Sequence, residues 1–248
     1  MKTKSSTRAQ LDADFERFET GKRDVVLHRE IAEHADRIVA EIDQLAASRA
    51  TGVGNRESGF RLTLAGAPEM FVRRARRGGL ISALVADLYL GMRPRPLEEL
   101  RVACEAKRRG IAVADPLGAI VEWAGPALYR GYFLTRHVGG MTLWDFVRTD
   151  DDPIVRRHVL QEARTAIRTM HERGLFHADL NLHNLMVTQV AESFAIKILD
   201  FDKSRIYPGP LKPSLRRANL ARLVRSARKL DPTGKFLDAG SLAILQAD

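Results

Sequence analysis

The residues best placed to do chemistry lie in HADLNLHN, 177–184, and at the end of the apolar run FAIKILDFD, 194–202. His177 stands two residues before Asp179, Asn184 stands five after it, and Asp200 follows sixteen residues later. A lone aspartate in a loop is more often a turn residue or a helix cap. A carboxylate, an amide and a second carboxylate at a strand end together suit phosphoryl transfer to an alcohol. That reaction needs a carboxylate that orients the hydroxyl and accepts its proton, a role open to Asp179. It also needs oxygen ligands for Mg²⁺ beside the nucleotide phosphates, and Asn184 and Asp200 are the candidates.

Such residues work only if the right elements hold them. The spacing H-x-D-x-x-x-x-N resembles the protein-kinase catalytic loop, which follows a long helix and precedes a hairpin ending in a metal-binding Asp. Those elements are predicted here. Pro153–Glu172 reads as a helix with Gly174 past its end. LMVTQV and FAIKILDFD read as strands, and a helical region starts near Ser214. Upstream, a helix starts within Met141–Val147, with Thr142 as its cap.

The N-terminal parts are expected in a matching order. TGVGNRESG, 51–59, is a glycine-rich turn whose Gly52 and Gly54 could cover phosphates with backbone N–H groups. FRLTLAG and PEMFVRR read as two short strands, and Arg73 stands where a kinase strand carries its phosphate-binding Lys. Arg74 is the close competitor. Leu97–Arg109 reads as a helix closed by Gly110, with Glu99 as the partner of that arginine. Glu98 is the register alternative, and Glu105 lies two turns on. Tyr132–Val138 would link the lobes, with Leu134 and Val138 lining an adenine pocket. Val25–Arg49 and Leu80–Leu90 read as helices, and residues 1–22 as a polar, frayed end. The expectation is an α+β, protein-kinase-like two-lobed fold with a small β-rich N-lobe and a helical C-lobe. Its parts are an N-terminal helical segment, 1–50, an N-lobe, 51–134, and a C-lobe, 135–248.

Composition bounds the partners. The chain has 248 residues, 45% of them apolar, and a net charge of +9. That charge fits nucleic acid, an anionic membrane surface or an acidic small substrate. Aromatic residues are only 6% and no RNA-recognition signature is present, so nucleic acid is not expected. No protein partner is predicted either. No apolar run approaches the roughly 20 residues that span a bilayer. MKTKSSTRAQ lacks an apolar signal core, so export is not expected. The single cysteine, Cys104, excludes an internal disulfide framework and a multi-cysteine metal site. Two departures point away from protein substrates. Asn181 stands two after Asp179, where Ser/Thr protein kinases place Lys, and Asp202 replaces the Gly of the metal triplet. The segment after Asp202 leaves little room for a long activation loop.

The chain resembles the lipopolysaccharide kinases of Gram-negative bacteria, the Kdo and heptose kinases, and among them most the 3-deoxy-D-manno-octulosonic acid (Kdo) kinases. The matching segments are FVRRARRGGL at 71–80, LEELRVACEAKRRGI at 97–111, YFLTRHVGGMTL at 132–143, GLFHADLNLHNLMV at 174–187, ILDFDKSR at 198–205 and NLARLVRSARKLDP at 219–232. The resemblance implies a kinase that uses ATP and Mg²⁺. Its acceptor would be the 4-hydroxyl of Kdo on a lipid A precursor, at the cytoplasmic face of the inner membrane, where the protein would be peripheral. Arg76 and Arg77 would then contact the anionic lipid-linked sugar. A heptose kinase, another small-molecule kinase of the same fold, and a pseudokinase that only binds lipopolysaccharide are the alternatives.

Overall fold

The computed structural model describes residues 13–50, 59–75, 89–91 and 93–247, without the side chains of 46–50. Gly52, Gly54, Arg76 and Arg77 lie outside the described residues. The chain divides into two compact units, one of Met1–Arg101 with Asp115–His137 and the other of Val102–Ala114 with Val138–Asp248.

The first unit is built on an antiparallel sheet. Its strands are β1 (Phe15–Thr20), β2 (Arg23–His28), β3 (Gly59–Leu62), β4 (Met70–Arg74), β5 (Tyr89–Leu90), β6 (Pro116–Trp123) and β7 (Leu128–Arg136). The order is β1-β2-β6-β7-β4-β3, with β5 also paired to β7. Short helices follow β2, α1 (Arg29–Ala32) and α2 (Ala35–Ala50), and α3 (Arg95–Arg108) precedes β6. Side chains alternate across the strands, so each face has its own cover. On one face Ile38 and Ile42 of α2 pack with Val25, Leu27, Met70, Val72 and Leu134. On the other, Leu97 of α3 packs against Tyr89, Val121 and Tyr129.

This sheet corrects the expected N-terminal helical segment, 1–50. Phe15–Thr20, expected to be frayed, pairs as a hairpin with Arg23–His28 through a turn at Gly21, whose φ is +61°. The predicted helix over Val25–Arg49 therefore starts late. Val25 and Leu27 are buried and laddered to Ile120 and Gly118 of β6. Helical spacing of the buried residues begins at Ile31, and Ile38 and Ile42 continue it. Ladder pairing and burial outweigh the local pattern, because β propensity is decided by context. Tyr89 and Leu90, expected at the end of a helix, form β5, and residues 80–88 of that expectation lie outside the described residues. The units also divide after His137 rather than after Leu134, and Val102–Ala114 groups with the second.

The second unit holds most of the helices: α4 (Leu143–Thr149), α5 (Pro153–Glu172), α6 (Pro213–Leu230) and α7 (Ala239–Gln246). Its small sheet joins β8 (Met141–Thr142), β10 (Leu185–Val190) and β11 (Ser193–Ile198), while β9 (Leu175–Phe176) pairs with β12 (Arg205–Ile206). Helix ends follow their capping residues. The Thr142 hydroxyl accepts the Asp145 N–H at 3.1 Å and starts α4. Asp152 accepts from Ile154 and Val155 ahead of α5, with Pro153 in the first turn. Gly174 ends that helix region at φ +80°, and a Cβ there would sit 2.5 Å from the Gly209 carbonyl oxygen. Only glycine fits a left-handed position with backbone that close. The chain turns there directly into β9 and the catalytic-loop residues.

Candidate active site

In the first unit the structure pairs one of the two candidate arginines with one of the three candidate carboxylates. The Arg73 guanidinium donates to both carboxylate oxygens of Glu99. Arg74 lies on the opposite face of β4, where it pairs in register with Tyr132. Glu98 is turned outward to Arg101, and Glu105 accepts from Arg108 and Arg109. Glu99 is therefore the α3 carboxylate that steadies the strand arginine. Its side chain is 4% exposed and that of Arg73 is 20% exposed. A pair this deeply placed is costly to break, since the surviving charge stays in the protein.

The same alternation corrects Leu134. Leu134 pairs in register with Val72, on the face covered by α2, and is fully buried there. Arg73 pairs with Phe133 on the other face. Leu134 is spent on the α2 core and does not share the face of Arg73, so it does not line a ligand site there. Val138 is half-buried and belongs to the second unit.

In the second unit the loop 177–184 is tied down residue by residue. Asn219 of α6, 1% exposed, donates its Nδ2 to the His177 carbonyl at 2.8 Å and accepts the His177 N–H at 3.2 Å. The Ser204 hydroxyl accepts the Ala178 N–H at 3.2 Å. His177 has no exposed surface. Its Nδ1 accepts the Asp179 N–H at 3.2 Å, so its proton sits on Nε2, which donates to the Leu199 carbonyl at 2.8 Å. Burial pushes the His177 imidazole down, beyond the upward pull of the Leu199 carbonyl and of Asp200 and Asp179, so it is neutral. His177 is a strut between the catalytic loop and the end of β11, not a proton carrier.

Asp179 ends that strut with its side chain half-exposed. Its backbone carbonyl accepts from Asn181 Nδ2 at 3.0 Å and from Asn184 Nδ2 at 2.8 Å. Asn181 Oδ1 in turn caps the short 3₁₀ turn Leu182–Asn184, accepting from His183 and Asn184. The Asp179 carboxylate itself meets Arg222 of α6, whose Nε donates to Oδ1 at 3.0 Å and whose Nη2 donates to the same oxygen. Burial alone would raise the Asp179 carboxyl. The Arg222 hydrogen bond and charge, with Asn181 and His177, outweigh that and hold it below the usual carboxylate range.

The hairpin register brings the two expected metal ligands together. Leu185 pairs with Ile198, and the Leu199 N–H donates to the Asn184 carbonyl at 2.9 Å. Asn184 and Asp200 thus flank the same end of the β10–β11 hairpin. Asp200 holds φ at +61°, a left-handed conformation that Asp tolerates better than most residues. Phe201 beside it is buried, with its ring 5.6 Å from that of His177. Among the described residues no group of three or more His, Cys, Asp and Glu could hold a metal. One carboxylate and one amide oxygen nevertheless fit Mg²⁺, which takes few protein ligands and completes its shell with water and phosphate. The Asn184 amide nitrogen is engaged by the Asp179 carbonyl, so its oxygen is the atom that could meet a cation.

Asn219, Arg222 and Ser204 were not singled out by spacing, because each reaches the loop only through the tertiary fold. A trace was present. Asn219 and Arg222 stand three apart, which puts them on one helix face.

Comparisons with known proteins give the chain's kinship. Residues 44–241 match the lipopolysaccharide kinase (Kdo/WaaP) family. The chain belongs to that family. It is similar to the 3-deoxy-D-manno-octulosonic acid kinase of Xylella fastidiosa (strain M23), with 35% identity over 162 residues that cover 64% of this chain and 61% of the relative. The corresponding kinase of Vibrio cholerae serotype O1 is 30% identical over 161 residues, which cover 64% and 65% of the two chains. The matched stretch thus spans a little under two thirds of the length of each curated relative. Among solved structures, WaaP in complex with acyl carrier protein aligns with a TM-score of 0.50 at 16% identity, covering 78% of this chain and 76% of that one. That likeness carries the fold, an α+β protein-kinase-like architecture. The catalytic loop, the hairpin and α6 all fall inside the family match.

Proposed function

We propose that this protein is an ATP-dependent kinase that phosphorylates a sugar hydroxyl, the 4-hydroxyl of Kdo, on a lipid A precursor. The observation that carries the reading is the loop around Asp179. An ionised, half-exposed carboxylate sits on a backbone anchored by Asn219, Ser204 and His177, with Asn184 bonded to its carbonyl. A general base needs that combination of exposure and fixed aim. Asp179 orients the acceptor hydroxyl and takes its proton as the oxygen attacks the γ-phosphorus. Asn184 and Asp200 would hold Mg²⁺, which would neutralise charge on the phosphates. Arg73, fixed by Glu99, offers its guanidinium to phosphate oxygens, a task a planar fork of donors performs well. The half-exposed Asp179 and the Arg73–Glu99 ion pair weigh against a pseudokinase.

Membrane and partner assignments follow from charge and kinship. The net charge of +9 suits an acceptor that carries phosphates and a carboxylate, presented at an anionic surface. Among the described residues no helix is long and apolar enough to cross a membrane, which is compatible with peripheral binding. Gly52, Gly54 and Val138 remain the proposed nucleotide contacts, and Arg76 and Arg77 the proposed acceptor contacts.

The test is an acceptor panel with purified protein, Mg²⁺ and ATP: a Kdo-bearing lipid A precursor, a heptosylated core and a free aminoglycoside. Mass spectrometry should find one added phosphate on the Kdo sugar of the first. Phosphate on heptose alone would move the reading to a heptose kinase, and no transfer with no ATP binding would move it to a binding protein.

A further inference from the structure

We propose that Arg222 is a positioning residue for phosphoryl transfer, supplying from α6 a cation at the loop Asp, where Ser/Thr protein kinases carry a Lys two residues after it.

That position is filled here by Asn181, and its side chain is already committed. Its amide nitrogen donates to the Asp179 carbonyl and its oxygen caps the turn at His183 and Asn184. Asn181 carries no charge to place beside the reacting phosphoryl group. Arg222 occupies the vacancy from 43 residues away in sequence. Its placement is not that of a loose surface side chain, because its helix is fastened to the same loop. Asn219, three residues earlier on the same face of α6, holds both backbone groups of His177. The anchor and the cation thus stand on one face of α6, and both bond the loop that carries Asp179.

Stability does not explain the Arg222–Asp179 pair. Its two side chains are 46% and 50% exposed, a setting in which ion pairs contribute little to folding. A chemical role does. Both guanidinium donors that reach the carboxylate, Nε and Nη2, go to Oδ1. That holds the carboxylate in one orientation and leaves Oδ2 as its other proton-accepting oxygen. The proposal rests on the kinase reading given above. In the transfer the acceptor oxygen forms a bond to the γ-phosphorus of ATP, the bond from that phosphorus to the β–γ bridging oxygen breaks, and ADP leaves. The hydroxyl proton passes to Asp179. A guanidinium at Oδ1 fixes the accepting carboxylate and sets positive charge next to the phosphoryl oxygens as they move.

The test compares Arg222→Ala, Arg222→Gln and Arg222→Lys with wild type and with Asp179→Asn, using ATP and the Kdo-bearing acceptor. Transfer by wild type and its loss in Asp179→Asn establish the underlying kinase reading independently; failure of those arms alone would point to the reading and not to Arg222. Given that, Arg222→Ala and Arg222→Gln should lower kcat by about 100-fold, the scale of one lost contribution to proton transfer, with KM for ATP changed less than about threefold. Arg222→Lys should retain more activity than either. Methylguanidine in the assay should restore at least about tenfold of the activity of Arg222→Ala, since the vacated site is open to solvent, and should do nothing for Asn219→Ala. A purely structural role would not respond to the added guanidinium. Full activity in Arg222→Gln, a rise in kcat on removing Arg222, or loss without rescue by methylguanidine would each overturn the proposal.

Discussion

Two arginine–carboxylate pairs, one in each unit, are chemically alike and physically opposite. Arg73–Glu99 lies within the sheet unit, with the carboxylate 4% exposed. Arg222–Asp179 lies on the catalytic loop, with both side chains about half in solvent. In the first pair both carboxylate oxygens are occupied by the guanidinium, so Glu99 is a fixed support and Arg73 is what it presents. In the second pair the arginine takes one oxygen, so Asp179 is what is presented and Arg222 is the support. Burial sorts the two roles. A buried pair fixes geometry and makes its own loss expensive, whereas an exposed pair adds little stability and leaves its carboxylate open to a substrate.

The comparison breaks most visibly at Glu99. Glu99→Ala leaves a guanidinium in a mostly buried place and should destabilise the protein by about 3–5 kcal/mol, read as a lower urea midpoint. A loss below about 1 kcal/mol would remove the distinction between the two pairs. Next comes Asn219→Ala, which strips partners from the buried N–H and C=O of His177 and should cost about 2–3 kcal/mol. The same variant should lose kinase activity through the displaced loop, measured on the fraction that remains folded.

Asp231 gives a control outside both pairs. It is buried at the end of α6 and accepts N–H bonds from Lys235, Phe236 and Leu237. Burial raises its carboxyl, but those donors outweigh burial and hold it low. A depressed pKa contributes stability above the ordinary carboxylate pKa and loses it as pH falls through the folded value. Asp231→Asn should therefore be less stable than wild type at pH 7, by about 1–2 kcal/mol, and the gap should close in acid. A gap that widened in acid would contradict that sign. The smallest effect is expected at the exposed pair, where Arg222→Gln should shift stability by less than about 1 kcal/mol.

How legible each pair was in the sequence follows from the distance over which it forms. Asp179, Asn184 and His177 lie within eight residues, and the fold uses them at that spacing. Helix α5 was equally plain, because Pro153 and Gly174 punctuate its two ends. Arg73 and Glu99 were preferred with Arg74 and Glu98 as competitors, and strand alternation and helix phase in the folded unit separate them. Leu134 was expected to line an adenine pocket, because a period-2 pattern gives two faces without saying which one α2 covers. The β1–β2 hairpin was hidden because Val25 and Leu27 fit a helical reading until β6 pairs with them. Arg222 and Asn219 had no local sign of their partners, which lie more than 40 residues away.

The central claim is that Asp179 is the base of a kinase and not a structural carboxylate. Its most direct test is the rate of phosphate transfer from ATP to the Kdo-bearing lipid A precursor by Asp179→Asn, alongside its thermal melting. Asp179→Asn should melt with wild type and transfer phosphate at least about 100-fold more slowly. A folded Asp179→Asn that transfers phosphate at the wild-type rate would contradict it.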